Sequence, residues 1–252
     1  MNNIRQPRFF CFCLLLVIAN YSVAQSKMRL GVKAGLSIPN LKSSGDNPVS
    51  KGWSSRIGPY AGIVAEYELS ERFFLQTELN YSSQGGKKKG TQAFPVGDYA
   101  VYFPPPAPTY LYAVYNNEAK LNYLELPLLL KVNFPIGEQF VFFINAGPYA
   151  GYLLSAKNVT SGSSNVYIDE NLTQPLTPAA VSFDQTTDVK DDIKSFNFGL
   201  QAGVGFNVNF LNSIFFLNAG GNYGLTHIQK DEVNGKNNTG AATITIGFLY
   251  NL

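Results

Sequence analysis

Apolar and polar residues alternate along most of this chain with a period of two. The clearest case is residues 193–210, where every second residue from Phe196 to Phe210 is apolar and the residues between them are Asn, Gly or Gln. Successive side chains of a β-strand point to opposite faces, so this segment has one apolar face and one small, polar face. An amphipathic helix would instead repeat apolar residues at i, i+3 and i+4. The pattern therefore predicts an all-β protein.

The same alternation predicts eight strands: Arg29–Ile38, Ser55–Leu69, Arg72–Gln84, Lys120–Phe134, Phe140–Ser155, Ile193–Phe210, Ile214–Ile228 and Thr239–Leu252. Short connections at 70–71, 135–139 and 211–213 alternate with long ones at 39–54, 85–119, 156–192 and 229–238. This plan is typical of an antiparallel up-and-down transmembrane barrel with short periplasmic turns and long extracellular loops. We expect one such domain and no second one.

The placement of charges predicts which face of each strand meets lipid. No Asp, Glu, Lys or Arg occurs from Gln139 to Ala156, from Ser195 to Gln229, or from Asn237 to Leu252. A soluble barrel would need charged residues on the water-facing side of these strands. The large apolar side chains are therefore predicted to face lipid, with the sheet closed because lipid cannot satisfy an open edge.

Six charged residues share the inward parity. All of them except Glu68 are predicted to form a structural ion network in the lumen: Lys33, Glu66, Glu78, Glu125 and Lys131. An eight-stranded barrel is just wide enough to be filled by its own side chains. Buried charges require partners, so we expect Glu125 to pair with an inward lysine. This interpretation predicts a filled interior and no wide pore.

The N-terminus has the pattern of a signal peptide. Arg5 and Arg8 precede an apolar run, Phe9–Ala19, that is too short to span a bilayer as a helix. The small residues of Ser22–Ala24 predict cleavage after Ala24. We therefore expect a signal peptide at 1–24, a barrel domain at 25–252, and export to the outer membrane.

Cleavage would remove both cysteines, Cys11 and Cys13, which excludes a disulfide or thiolate metal site in the mature chain. It would lower the number of basic residues from 19 to 17, equal to the 17 acidic residues. A neutral chain is not typical of nucleic-acid-binding proteins. Charged residues make up 14% of the chain, against about 25% in ordinary soluble domains. We predict no metal, no cofactor and no nucleic-acid partner.

Four segments carry a resemblance to a known family: Leu30–Leu36, Tyr123–Lys131, Asn145–Gly151 and the Gly- and Asn-rich segment 193–210. The chain resembles the small outer-membrane β-barrel proteins of Bacteroidetes that are called PorT-like. The resemblance implies an eight-stranded barrel in the outer membrane. Its founding member is implicated in protein secretion, so the resemblance also implies envelope or secretion proteins as partners. Outer-membrane lipid and lipopolysaccharide are expected around the barrel.

The second long connection contains candidate binding residues: Lys87, Lys88, Lys89, Tyr102, Phe103 and Tyr110. The lysines are candidates for binding lipopolysaccharide phosphates or acidic glycans. The alternative is a solvated loop tip. The aromatic residues are candidates for a binding surface, with a strand extension or a membrane-interface girdle as the alternatives.

The chain offers little for catalysis. His227 is the only histidine, and the chain contains no Gly-x-Ser-x-Gly motif. We therefore predict no enzymatic activity and a structural or interaction role in the envelope. A ligand- or glycan-binding barrel that acts through its extracellular loops is the alternative, and a membrane-embedded hydrolase is the third and least favoured class.

Overall fold

The computed structural model describes residues 27–252. The predicted signal peptide, with Cys11, Cys13 and the cleavage after Ala24, lies outside the described residues.

Eight long strands form one antiparallel ring: β1 Met28–Ser43, β2 Gly58–Glu68, β3 Phe73–Lys88, β4 Asn116–Ile136, β5 Phe140–Ser161, β6 Phe196–Phe210, β7 Ser213–Gly224 and β8 Asn237–Asn251. Each strand pairs with its neighbours in sequence, and β8 pairs with β1. The predicted eight-stranded up-and-down barrel is confirmed. By the rule for outer-membrane barrels, the short turns mark the periplasmic end and the long loops mark the extracellular end.

The last strand closes the ring along its whole length. The register between β1 and β8 runs from Arg29 opposite Asn251 to Ser43 opposite Asn237. Glycine allows the two backbones to approach closely at this seam, because a Cβ at Gly31 would collide with the carbonyl oxygen of Phe248. Gly31, which lies in the Leu30–Leu36 segment, is thus required for barrel closure.

Several strands end at different residues from those predicted. β1, β3, β4 and β5 extend further toward the extracellular side, because partners exist for their edges beyond the membrane. Residues Gln185–Asp188, for example, pair with Lys157–Thr160 at the end of β5. In contrast, β6 and β7 stop short of Ile193 and Ile228, and both of these side chains are buried in the interior.

The long loops contain the remaining regular elements. These are strands Thr91–Pro95, Tyr110–Val114, Ser163–Ser164, Val181–Ser182 and Gln185–Asp188, and 3-10 helices Gly97–Tyr102, Lys190–Asp192 and Glu232–Asn234. No helix among residues 27–252 is long and apolar enough to cross a bilayer.

The outer face of the ring carries the large apolar side chains. Val32, Leu126 and Ile246 are 56%, 55% and 66% exposed in the isolated chain. Aromatic side chains border this belt at the periplasmic end (Tyr67, Phe73, Phe134, Phe140, Phe210, Tyr250) and at the extracellular end (Tyr81, Tyr152, Phe196, Phe198, Tyr223). Such girdles are typical of the two interfaces of a membrane barrel.

Candidate functional site

The inner face of the ring collects the charged residues predicted for the lumen. Lys33 of β1 donates a hydrogen bond of 2.6 Å to Glu78 of β3. Lys131 of β4 donates a bond of 2.6 Å to Glu66 of β2, and Arg29 lies 3.4 Å from the same carboxylate. All of these side chains except that of Arg29 are buried. The lumen thus contains two ion-paired groups.

Polar and aromatic neighbours replace water around these ion pairs. Glu78 accepts three further hydrogen bonds, from the side-chain amides of Gln76, Asn80 and Gln201. Each cation also lies over an aromatic ring: Lys33 over Tyr60 (4.8 Å), Lys131 over Phe143 (4.0 Å) and Arg29 over Phe74 (4.3 Å). These contacts offset part of the cost of burying the charges.

Glu125 is held differently from the other two lumen carboxylates. It accepts hydrogen bonds from Gln84 at 3.1 Å and from Asn222 at 3.1 and 3.3 Å. Within residues 27–252 it forms no ion pair, so the expected pairing with an inward lysine is wrong. Lys131 lies six residues along the same strand, which corresponds to about 20 Å, and it is engaged by Glu66.

Two apolar clusters also fill the lumen, one toward the extracellular end and one in the periplasmic half, beside the group formed by Arg29, Glu66 and Lys131. The extracellular plug comprises Leu41, Ala119, Leu121, Tyr123, Leu153, Ala156, Ile193 and Ile228. The periplasmic plug comprises Val64, Phe143, Ile214, Phe216 and Leu249. Leu153 and Leu249 have no exposed surface, and the carboxylates Glu66 and Glu125 are each only 1% exposed. The described interior is therefore packed throughout its length.

Sequence reasoning missed both plugs, because it assigned only small and polar residues to the inner face. The available signal was Leu249 and Val64, two apolar residues that stand at inward parity among polar ones. It also missed Arg56. This buried side chain donates to Glu118 at 2.8 Å and to Ser83 at 3.0 Å near the extracellular plug.

The four extracellular loops are L1 (residues 44–57), L2 (89–115), L3 (162–195) and L4 (225–236), and together they form a cap over the barrel. Asn47 of L1 donates to the carbonyl of Val233 in L4 at 3.1 Å and to the hydroxyl of Tyr110 in L2 at 2.9 Å. The side chain of Asn237, which follows L4, donates to the carbonyl of Ser50 in L1 at 2.9 Å.

L2 and L3 are also joined. Tyr112 and Tyr167 exchange two backbone hydrogen bonds of 2.9 and 2.7 Å. The rings of Tyr115 and Phe183 stack with their centroids 4.5 Å apart. These contacts unite all four loops into a single folded surface.

Residues 23–230 match the family model of the outer membrane protein beta-barrel domain. The chain belongs to this family. Membership agrees with the closed ring and the apolar belt, and it places the protein in the outer membrane.

Solved structures of other outer-membrane barrels are similar to this one at low sequence identity. Neisserial surface protein A is 12% identical with a TM-score of 0.40, and the match covers 90% of this chain and 98% of that one. OprG from Pseudomonas aeruginosa is 11% identical with a TM-score of 0.41, covering 90% and 97%. The protease OmpT from Escherichia coli is 10% identical with a TM-score of 0.35, covering 93% and 99%. No curated protein matches the chain significantly.

In this outer-membrane barrel, strand alternation splits the predicted lysine run. Lys87 and Lys89 are exposed, whereas Lys88 is buried and donates to the carbonyl of Val49 at 2.6 Å. Because the belt on β3 ends at Tyr81, Lys88 lies above the membrane in the cap. Burial lowers the pKa of the Lys88 ammonium to about 8.

The candidate aromatic residues of L2 do not form one surface. Tyr102 is 81% exposed at the loop tip, close to Tyr99, which is 69% exposed. Phe103 is only partly exposed, and Tyr110 contributes its hydroxyl to the contact with Asn47. The tip is therefore a smaller candidate surface than the sequence indicated.

His227, the catalytic candidate of the sequence, has a structural contact. The Nδ1 atom of His227 lies 3.0 Å from the amide oxygen of Asn238, and no carboxylate among the described residues is paired with the ring. Among residues 27–252, no group of three or more His, Cys, Asp or Glu side chains is arranged to hold a metal ion.

Two ion pairs on the surface of the cap lower the pKa values of their carboxylates. The pKa of Asp46 is lowered by its hydrogen bond and charge interaction with Lys51, and that of Glu232 is lowered in the same way by Lys236. Burial raises the pKa of Tyr115 to about 12.

Proposed function

We propose that this outer-membrane barrel is a non-enzymatic binding protein that acts through its extracellular cap. The observation that carries this proposal is the combination of a packed lumen with four interlocked loops. A barrel with a filled interior offers only its surfaces for function. The belt is covered by lipid and the periplasmic turns are short, which leaves the cap as the largest folded surface in water.

The contacts of His227 support the absence of catalysis. A hydrolytic histidine needs a carboxylate or a nucleophile within hydrogen-bond reach. His227 instead contacts the amide of Asn238. The barrel fold alone does not decide this point, because function depends on the site and not on the fold.

Glycan binding at the tip of L2 is the second candidate. Tyr99 and Tyr102 present two rings with centroids 6.5 Å apart and more than two thirds of their surface exposed. Exposed tyrosines supply large amphipathic contact areas at low entropic cost. Lys87 and Lys89 are also exposed in this region and suit an acidic glycan or a lipopolysaccharide phosphate. Loss of glycan-array binding in Tyr99→Ser and Tyr102→Ser variants would support this candidate.

The resemblance to PorT-like proteins supports envelope or secretion proteins as partners. Lipopolysaccharide and other outer-membrane lipids would surround the belt. A secretion protein, another envelope protein and a glycan are then alternative partners of the same cap.

In-cell cross-linking with the full chain tests the main proposal. A variant that lacks residues 98–102 removes the exposed tip while keeping the strands Thr91–Pro95 and Tyr110–Val114. We expect wild-type protein to capture a specific partner, and the deletion to reduce that capture at an equal amount of folded barrel in the membrane. Equal capture by both forms, or by an unrelated eight-stranded barrel, would overturn the proposal.

A further inference from the structure

Two adjoining cavities lie inside the cap. The outer chamber has a volume of about 300 Å³ and the inner chamber about 130 Å³. Lys88, Gln92 and Ala93 line both chambers and so mark their junction. The outer chamber borders solvent, since the side chain of Asp46 on its wall is fully exposed.

The inner chamber has walls of mixed character. It is apolar where Leu121, Ile193 and Ile228 of the extracellular plug line it, and polar elsewhere, where the charged residues are Lys88 and Asp192. Two of its lining residues carry buried polar atoms without a partner, the indole Nε1 of Trp53 and the amide Oδ1 of Asn117. A buried donor or acceptor that lacks a partner destabilises the folded state. The chamber therefore offers one donor and one acceptor close to the apolar side chains of the plug.

Lys88 brings a positive charge to the junction. An ammonium group has three donors, and the described contacts of this one are a hydrogen bond to Val49 and a position 4.9 Å above the ring of Trp53. Lys51, the other lysine with a described partner in the outer chamber, is engaged by Asp46 at 2.6 Å. Among the residues described, no ion pair joins Lys88 to a carboxylate, although Asp192 lines the inner chamber with it.

We propose that the cap binds a small amphipathic carboxylate of about one ring in size. The ligand places its carboxylate at Lys88 and its apolar body in the inner chamber, with a polar substituent toward Trp53 and Asn117. The inner chamber of about 130 Å³ is slightly smaller than the cavity of about 150 Å³ that accommodates benzene, so the ligand is limited to one ring and its carboxylate extends through the junction into the outer chamber. The charge fits, because a desolvated carboxylate and ammonium make a strong, charge-assisted hydrogen bond. This inference rests on the proposed function and deepens it by naming a ligand class.

Fluorescence of the refolded full chain tests the inference directly, since Trp53 is the only tryptophan in the sequence. The probe is 4-hydroxyphenylacetate, whose hydroxyl both donates and accepts. Phenylacetate lacks the hydroxyl, and 4-hydroxyphenylethanol lacks the carboxylate. We expect a saturable change in Trp53 emission with 4-hydroxyphenylacetate, and binding weaker by roughly fivefold or more for each of the other two compounds.

Three variants locate the binding. Lys88→Met removes the charge and Ala93→Leu fills the junction, so both should abolish the response to 4-hydroxyphenylacetate. Lys87→Met is the matched control, because its side chain is exposed, and it should respond as the wild type does. The faster gel mobility of unboiled samples verifies that each variant is folded.

Absence of a saturable response in wild-type protein would overturn the inference. Equal binding of the three compounds to wild-type protein would also overturn it. Unchanged binding of 4-hydroxyphenylacetate to folded Lys88→Met would do the same. The proposed function is tested separately by the deletion of residues 98–102, which removes no residue that lines either chamber. Failure of probe binding would therefore leave that test unaffected.

Discussion

At the residue scale, the lumen carboxylates illustrate two ways of keeping a charge inside a barrel. Glu66 is shared between Lys131 and Arg29, whereas Glu125 is held by the amides of Gln84 and Asn222. The polar layer of the lumen nevertheless contains three cations, Arg29, Lys33 and Lys131, and three carboxylates, Glu66, Glu78 and Glu125. The layer as a whole therefore contains equal numbers of basic and acidic side chains, although Glu125 forms no ion pair.

Glu66→Gln should therefore destabilise the barrel more than Glu125→Gln. The first change leaves Lys131 and Arg29 without a carboxylate, at a cost of about 3–5 kcal/mol for a buried pair. The second keeps a hydrogen-bonding group of the same shape and should cost about 1–3 kcal/mol. Urea unfolding in detergent micelles measures both.

Glu138→Gln is the control for these two variants, because this glutamate is exposed in a periplasmic turn. Glu118, which the sequence placed in a loop, is unsuitable because it lies in β4 and pairs with Arg56 and Lys120. Equal unfolding curves for the Glu66, Glu125 and Glu138 variants would refute a stabilising role for the lumen charges.

Lys88 should make stability depend on pH in the alkaline range. Its pKa is lowered by burial from an ordinary 10.5 to about 8. Between these values the unfolded chain holds a proton that the folded chain has released, so the free energy of unfolding rises with pH. The other charged groups lining the two chambers are Asp46, Lys51, Lys89 and Glu170 in the outer one and Asp192 in the inner one.

Urea unfolding from pH 8 to 10.5 checks this dependence. The rise should be present in wild type and in Lys87→Met, and it should be absent in Lys88→Met. An equal rise in the free energy of unfolding in all three proteins would show that groups other than Lys88 cause the pH dependence.

At the element scale, β8 decides whether the ring closes. Its final residues pair with β1 on one side and with β7 on the other, and Leu249 within them is fully buried in the periplasmic plug. An open edge in lipid leaves several backbone groups unsatisfied, each at a cost of several kcal/mol.

Deletion of Phe248–Leu252 should therefore abolish insertion and leave a protease-sensitive periplasmic species. Deletion of residues 98–102 should be tolerated, because that segment of L2 contributes nothing to the ring. The loop available for deletion is shorter than the connection 85–119 assigned from the sequence, since 85–88 and 116–119 belong to β3 and β4. Gel mobility of unboiled samples gives the result. A C-terminal deletion that still inserts and runs as a folded barrel would contradict the closure at β8.

At the scale of the whole molecule, the barrel has a filled interior, and the four extracellular loops form a folded cap above it. Open porin channels need 16–18 strands, whereas eight strands leave room only for side chains. The two apolar clusters and the buried polar residues beside and between them fill the interior.

Planar-bilayer recordings of the refolded protein should thus show at most small, irregular conductance. A porin recorded in the same bilayers serves as the positive control. Stable, large, ohmic steps from the wild-type chain would contradict the packed interior.

The sequence by itself determined the strands, their order and the direction of their faces. Apolar residues recur at every second position, and within the belt the apolar face of each strand carries no charge, so that face can lie against lipid. Residues such as Ile246 and Lys33 were therefore assigned to the correct side of the wall. The tertiary structure decided which inward residues meet, since the stagger between strands brings Glu66 of β2 to Lys131 of β4 and Asn222 of β7 to Glu125. It also decided the cap, because contacts such as Asn47 with Val233 join residues 186 apart in the chain. No local pattern encodes contacts of that range.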